Sequence, residues 1–394
     1  MRPGTLSGRY LIALATFGLL AACSTAPPVA PTVAIVIGVD ISQDTSDPAA
    51  ADSVAAAVRT IVETRYHGRV EGIPVSVRVL DDSTGGRPDP ARASSNMHSF
   101  VNDSHVLGVV GPIQSNLAVT EIPLAAAAHL VLVSPSNTNG CLTHAGGDCE
   151  DLATQLHGRW PVSYFQVLAT DDAQGEAAAV FADGSLRASA AAVGSDGGAY
   201  GKALAEDFAS ALKKRGGIVA VRRDLDPHSK TDLDAFLQAG ATAGAKAVFF
   251  GGRDAGGACL VRAAMASLLP PETAFLGGGA IITSTCLKDA GPPGSGLYAI
   301  STGPDLNDGR SAAAEDAAGA LLEAISRAIK AEGGNSPTRE EVRSQMAATR
   351  DYPGHWGRFG FDANGDTTLR VYTVWSATGS PLAWARLKTV RLPG

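Results

Sequence analysis

Short, unbroken apolar runs recur along this chain, and each is followed by a stretch with helical periodicity. Val33 to Val39 is the first such run, and a strand without polar alternation has to be covered on both faces. Asp47-Pro48 then reads as an N-cap and a first helical residue. The helix they open places Val54, Val58, Ile61 and Val62 on one face. The pattern repeats with a strand at Val75 to Leu80, a helix from Asp89-Pro90, and further strands at Val106 to Val110 and Leu130 to Val133. Strands joined by helices run parallel with right-handed crossovers, so this stretch predicts a doubly wound α/β lobe.

A second series starts at Trp160, with strands at Ser189 to Val193, Ile218 to Val221, Ala247 to Gly251 and Ala274 to Leu276. Between the first two, a helix over Tyr200 to Arg215 sets Leu204, Phe208 and Leu212 four residues apart. Long helical patterns follow at Ser311 to Lys330 and at Thr338 to Thr349, the latter opened by a Thr338/Glu341 capping box. A β region from Phe359 to Leu387 closes the chain. With 394 residues the chain exceeds what one core usually supports, so two lobes are expected.

Hydrophobic residues make up 45% and charged residues 18%, the balance of a globular protein. The net charge of -7 gives no electrostatic reason to bind nucleic acid or anionic lipid through the folded part. The first residues are more specific. Arg2 and Arg9 form a positive region ahead of a short apolar run from Tyr10 to Leu20, too short to span a bilayer, which ends in the lipobox-like Leu20-Ala21-Ala22-Cys23. This pattern predicts a signal peptide over residues 1–22 and acylation of Cys23, with residues 23–32 as a lipidated start and tether. The other four cysteines, Cys141, Cys149, Cys259 and Cys286, form an even set in a compartment that permits disulfides. Of three possible pairings, Cys141 with Cys149 and Cys259 with Cys286 keeps each bridge local. Zinc is the rival reading, but these cysteines lack C-x-x-C spacing and the histidines are scattered.

Enzyme templates are missing: the chain has no G-x-S-x-G elbow, H-E-x-x-H pair, Walker loop or G-x-G-x-x-G turn. Asp362, Asn364 and Asp366 resemble the start of a calcium loop. Their glycine falls at the fourth position, and Thr373 stands where a bidentate Glu belongs, so a turn is expected instead. No metal or cofactor is expected. What remains is polar loops at the carboxyl ends of strands, where open α/β sheets bind ligands. Gly111-Pro112-Ile113-Gln114-Ser115 follows one strand and Ser134-Pro135-Ser136-Asn137-Thr138 the next. Their hydroxyls and free N–H groups suit a carboxylate.

Val109-Val110-Gly111-Pro112, Ser115, Val133 to Thr138, Thr170 to Gly175, Tyr200-Gly201 and Phe361 to Asp366 together resemble the type I periplasmic binding proteins of the branched-chain amino-acid group, over about Val33 to Trp375. The resemblance implies two Rossmann-like lobes with parallel sheets, joined by a three-segment hinge. The lobes would comprise residues 33–160 with 301–355, and 161–300 with 356–394. It also implies that Ser115, Thr138 and the backbone at Ser136 hold a ligand carboxylate, and that Tyr200 reaches in from the other lobe. Two positions depart from that group. Gly279 stands where an acid pairs the ligand ammonium, and Arg253 stands where an aromatic residue is expected, so Arg253 joins the candidate site. Asp254, Asp196 or Asp44 could replace the missing acid. Without one, a zwitterionic amino acid would bear a desolvation cost of several kcal/mol.

The resemblance implies a monomeric, non-enzymatic receptor that is anchored to the membrane through Cys23. It would deliver a small polar or carboxylate-bearing ligand to the permease of an ABC importer. A lipoprotein of the same fold that signals ligand state to a membrane receptor or kinase is the alternative.

Overall fold

Parallel β-strands, covered on both faces by helices, make up two sheets in this chain. The computed structural model describes residues 34–44, 48–145, 149–291, 296–303 and 306–393, together with Met1 and Gly4. The apolar run Tyr10 to Leu20, Cys23, the tether to Thr32, and Asp47 lie outside the described residues. Among the described residues, no helix is long and apolar enough to cross a membrane.

The first sheet has the order β2-β3-β1-β6-β7-β8. It is built from β1 (Ile35–Ile41), β2 (Arg69–Val70), β3 (Ile73–Asp81), β6 (Val106–Val110), β7 (Val131–Ser134) and β8 (Tyr164–Gln166), with β4 (Ser83–Thr84) and β5 (Arg87–Pro88) as a small hairpin beside it. All its pairings are parallel except β2 with β3. On one face pack α1 (Pro48–Thr64), α10 (Leu306–Ala331) and α11 (Arg339–Ala347), and on the other α2 (Pro90–Val101), α3 (Ser115–Ala127) and α4 (Leu152–His157). The apolar stripe read from the sequence of α1 is the buried one, with Val54, Val58, Ile61 and Val62 all in the core. Asp89 caps α2 by accepting from the Ala91 amide at 2.9 Å, and the Thr338/Glu341 capping box opens α11.

The second sheet has the order β10-β9-β11-β12-β13-β16-β17. It contains β9 (Ala190–Ser195), β10 (Ile218–Asp224), β11 (Ala247–Gly251), β12 (Ala274–Gly278), β13 (Leu297–Thr302), β16 (Val371–Thr378) and β17 (Ala383–Arg391). The last two strands are antiparallel. Helices α5 (Gln174–Gly184) and α6 (Ala199–Lys214) cover one face, while α7 (Lys230–Thr242), α8 (Ala258–Leu268) and α9 (Ser284–Asp289) cover the other. A hairpin of β14 (Tyr352–Gly354) and β15 (Gly357–Phe359) packs through Tyr352 and Phe359 into the core of the first lobe.

The chain passes between the sheets after β8, after β13, and again before β16, which gives the expected two-lobed α/β architecture. The passages differ in detail from the sequence reading. Tyr164–Gln166 pairs with β7, so the chain leaves the first sheet after Gln166 rather than near residue 160. Phe359 and Phe361 are buried in the first core, so the last passage falls beyond Phe361 instead of at residue 355. Helix α10 also begins at Leu306, five residues before the reading from Ser311. Its first turn is written Leu-Asn-Asp-Gly-Arg, which carries no apolar periodicity to reveal it.

The acidic turn is a turn. Asp362 accepts from the amides of Asn364 and Asp366 at 2.8 and 2.9 Å, and Asp366 accepts from Gln166 Nε2 at 2.6 Å. Both disulfides have the local pairing, Cys141 with Cys149 and Cys259 with Cys286.

Candidate functional site

Tyr200 and Arg253 follow β9 and β11, the two strands between which the order of the second sheet reverses, and such reversals are where open sheets form a binding crevice. Two glycines let the backbones meet there. A Cβ on Gly201 would lie 2.6 Å from the carbonyl oxygen of Gly251, so α6 starts directly against the end of β11. This closeness stacks the Arg253 guanidinium over the Tyr200 ring at 4.6 Å from its centroid, a favourable cation–π arrangement. Burial, with Asp171 adding to it, raises the Tyr200 phenol above its ordinary range, so the phenol stays neutral.

In front of this pair lies a cavity of about 270 Å³, a volume suited to a molecule of amino-acid size. Pro135, Ser136 and Thr138 line it from the loop after β7, and Arg310 and Ala313 from α10. Gln174, Tyr200, Arg253 and Gly279 face them from the second lobe, together with Ser301 and Thr302 at the end of β13, and Leu168 and Asp171 come from the first passage between the lobes. Both lobes and the hinge therefore contribute to one pocket.

Of the residues singled out in the sequence, Ser136, Thr138, Tyr200 and Arg253 come together here. Ser115 does not line the cavity; it is the first residue of α3. The two hydroxyls after β7 are already engaged. Ser136 Oγ donates to the Ile113 carbonyl at 2.7 Å, and Thr138 Oγ1 donates to Asp171 Oδ2 at 2.9 Å. They shape the loop and orient an acid, which leaves ligand contact to backbone and to the charged groups.

An acid does line the cavity, and it is none of the three proposed from sequence. Asp254 accepts from Thr283, Asp196 accepts from the Gly198 amide at 3.0 Å, and neither they nor Asp44 line the cavity. Asp171 does. Burial pushes its carboxyl up to about 6, while the hydrogen bond from Thr138 works in the opposite direction, so it is mostly ionised at neutral pH. Gln174 Nε2 donates to its other oxygen at 2.5 Å, and Gln174 Oε1 in turn accepts from the Gly279 amide at 2.9 Å. A side chain at Gly279 would press on Ser301, its Cβ 3.3 Å from the serine backbone. Asp171, Gln174, Ser301, Thr302 and Arg310 escaped the sequence reading as site residues, although Asp171 and Gln174 stand within a motif that carried the resemblance.

A larger cavity of about 400 Å³ lies beyond the first passage, lined by His144, Asp172, Asp207, Asp366 and Arg370 among others. Several of its charges are matched internally: His144 Nε2 lies 2.7 Å from Asp366 Oδ2, and Arg370 2.8 Å from Glu176. The smaller cavity, with its charges aimed inward from two lobes, is the better candidate.

A family model described as periplasmic binding protein matches residues 34–379. The chain belongs to that family. Among relatives of this periplasmic binding protein, a Leu/Ile/Val-binding protein homolog of Brucella melitensis is 29% identical over 195 residues, about half of each chain at 50% of this one and 48% of the other. The Leu/Ile/Val-binding protein BraC3 of Rhizobium johnstonii is 24% identical over 326 residues, covering 79% of this chain and 83% of its own. The fold is shared with an ABC transporter substrate-binding protein of Desulfitobacterium hafniense in complex with leucine (TM-score 0.66, 18% identity, 90% of this chain and 99% of that one). It is also shared with a solute-binding protein of an ABC transporter from Rhodopseudomonas palustris in complex with p-hydroxybenzoic acid (TM-score 0.59, 16% identity, 92% and 98% covered). These relatives and neighbours are receptors for solutes, not enzymes.

Proposed function

We propose that this periplasmic binding protein is a receptor that captures a small carboxylate-bearing solute between its lobes and delivers it to the permease of an ABC importer. The observation that carries the reading is the exposed Arg253 guanidinium, which lines the interlobe cavity and is held over the Tyr200 ring. A guanidinium so placed suits a carboxylate, and hydrogen bonds to charged groups are the strong ones. The structural neighbours support the same chemistry, since leucine and p-hydroxybenzoic acid both carry a carboxylate. Contacts from both lobes and the hinge supply the differential affinity that closure around a ligand requires. The Leu20-Ala21-Ala22-Cys23 sequence supports an extracytoplasmic location with a lipid on Cys23.

The test is native mass spectrometry of the purified protein to identify a co-purifying small molecule. Calorimetry with that molecule, with simple aromatic and aliphatic carboxylates, and with leucine, isoleucine and valine follows. The expected result is submicromolar binding of a carboxylate-bearing molecule, and retention of a cation or neutral sugar instead would overturn the reading.

A further inference from the structure

The order of the first sheet also reverses, between β1 and β6, and three carboxylates are buried close to that point. Asp40 stands near the end of β1, Asp82 just after β3, and Glu121 inside α3, and each is 0% exposed. One oxygen from each lies within 4.8 Å of the others. Asp40 Oδ1 accepts from Asn96 Nδ2 at 2.8 Å, and Asp82 Oδ1 accepts from Ser42 Oγ. The remaining four oxygens, Asp40 Oδ2, Asp82 Oδ2 and both of Glu121, have no hydrogen-bond donor at all. A carboxylate pointing two bare oxygens into a closed interior is rare, because buried acceptors are almost always satisfied.

The charges acting on these groups are one another and Asp81, all negative. Burial raises the protonation range of all three, and mutual repulsion adds to it for Asp40 and Glu121. Like charges at this spacing repel strongly away from water, so the cluster requires either shared protons or a counter-ion. One oxygen of each carboxylate lies within 4.8 Å of the other two, so a multivalent cation at their centre meets all three acids, and none of the four bare oxygens is committed to another donor.

We infer that Asp40, Asp82 and Glu121 form a buried site for a hard divalent cation of the calcium class. The ligand set is all oxygen, which selects against soft and imidazole-seeking metals. The Ser42 hydroxyl and Gln114 Oε1, 2.9 Å apart, add two further neutral oxygens at its edge. Calcium accepts six to eight oxygens in irregular geometry, while magnesium keeps several of its waters, for which a fully buried cluster has little room. Gln114 immediately precedes α3, so the ion fixes the same 111–115 loop whose Ile113 carbonyl holds Ser136 at the ligand cavity.

The test is metal analysis and thermal denaturation of the full chain at neutral pH after EDTA treatment and dialysis, with 1 mM calcium chloride, 1 mM magnesium chloride or EDTA. Calcium is expected to restore about one bound equivalent and to raise Tm by about 5 °C, the shift produced by an ion present well above its dissociation constant. Glu121→Gln is expected to lose this rise. If Glu121→Gln does not fold, Asp40→Asn serves the same purpose. The inference is overturned by a wild-type Tm that is the same in calcium and EDTA with no retained metal, which would leave a proton-sharing cluster. It is also overturned by a calcium response that survives in the variants, and a larger rise with magnesium than with calcium overturns the calcium assignment.

Discussion

The hydroxyl of Thr138 donates to Oδ2 of Asp171 across 2.9 Å, tying the loop after β7 to the first passage between the lobes. The acid held by this bond is the carboxylate that lines the cavity, so its replacement reports on the ligand. Asp171→Asn removes the negative charge and keeps the shape. For a ligand without an amine, affinity measured by calorimetry should stay level or rise. For an amine-bearing ligand it should fall at least tenfold, and wild-type binding should weaken as pH drops through about 6, where Asp171 takes up a proton.

Arg253→Met should weaken carboxylate binding by at least tenfold. A hydrogen bond to a charged group contributes about 1.5–3 kcal/mol, and about 1.4 kcal/mol is a factor of ten. Arg253 is exposed, so the melting temperature without ligand should hardly change. Loss of affinity together with a large fall in Tm would show a structural role instead.

His144 gives the protein a stability term that depends on pH. The carboxylates of Asp172 and Asp366 beside it raise it from 6.5 to about 10 against partial burial. A basic group raised on folding contributes stability that is complete below about pH 6.5 and is lost as pH climbs through about 10. Tm should therefore decline across that window in wild type and less steeply in His144→Gln. Parallel curves for the two proteins would remove His144 from the account.

The Cys259–Cys286 bridge closes a segment 27 residues apart in sequence. By loop-closure entropy it should stabilise the fold by about 3–4 kcal/mol. A Cys259→Ala/Cys286→Ala protein should lose roughly that much in urea unfolding, whereas the eight-residue Cys141–Cys149 loop should matter less.

Cys23→Ser should release the protein from salt-washed membranes into the soluble fraction. Continued membrane association of the variant would count against a lipid on Cys23.

Much of the fold was legible because burial leaves a direct mark on composition. Val106 to Val110 and Ala247 to Gly251 are strands with the bounds their apolar runs suggest, and Leu204, Phe208 and Leu212 are buried on α6 as their spacing required. The loop at the end of β7 located Ser136 and Thr138, whereas Tyr200 and Arg253 were reached only through the family resemblance. Asp171 was hidden because an acid after Thr170 reads equally well as a helix-opening residue. Arg310 was hidden because α10 extends a turn beyond its apolar pattern. Asp40 and Glu121 were hidden for a further reason: periodicity marks apolar burial, and a buried carboxylate at the end of a strand or within a helix looks in sequence like a solvated one.

The contact between Gly201 and Gly251 separates scaffold from recognition. Each glycine sits beside a residue that faces the ligand cavity or one step from it, Tyr200 before the first and Arg253 two after the second. Because the main chains themselves abut, the positions of those neighbours are set by atoms common to every amino acid. Descendants of this chain can therefore exchange the tyrosine or the arginine for another chemistry, and change what they recognise, without rebuilding the lobe that presents it. A side chain gained at either glycine would instead disturb both neighbours at once, so ligand preference should drift among these proteins while this pair stays fixed.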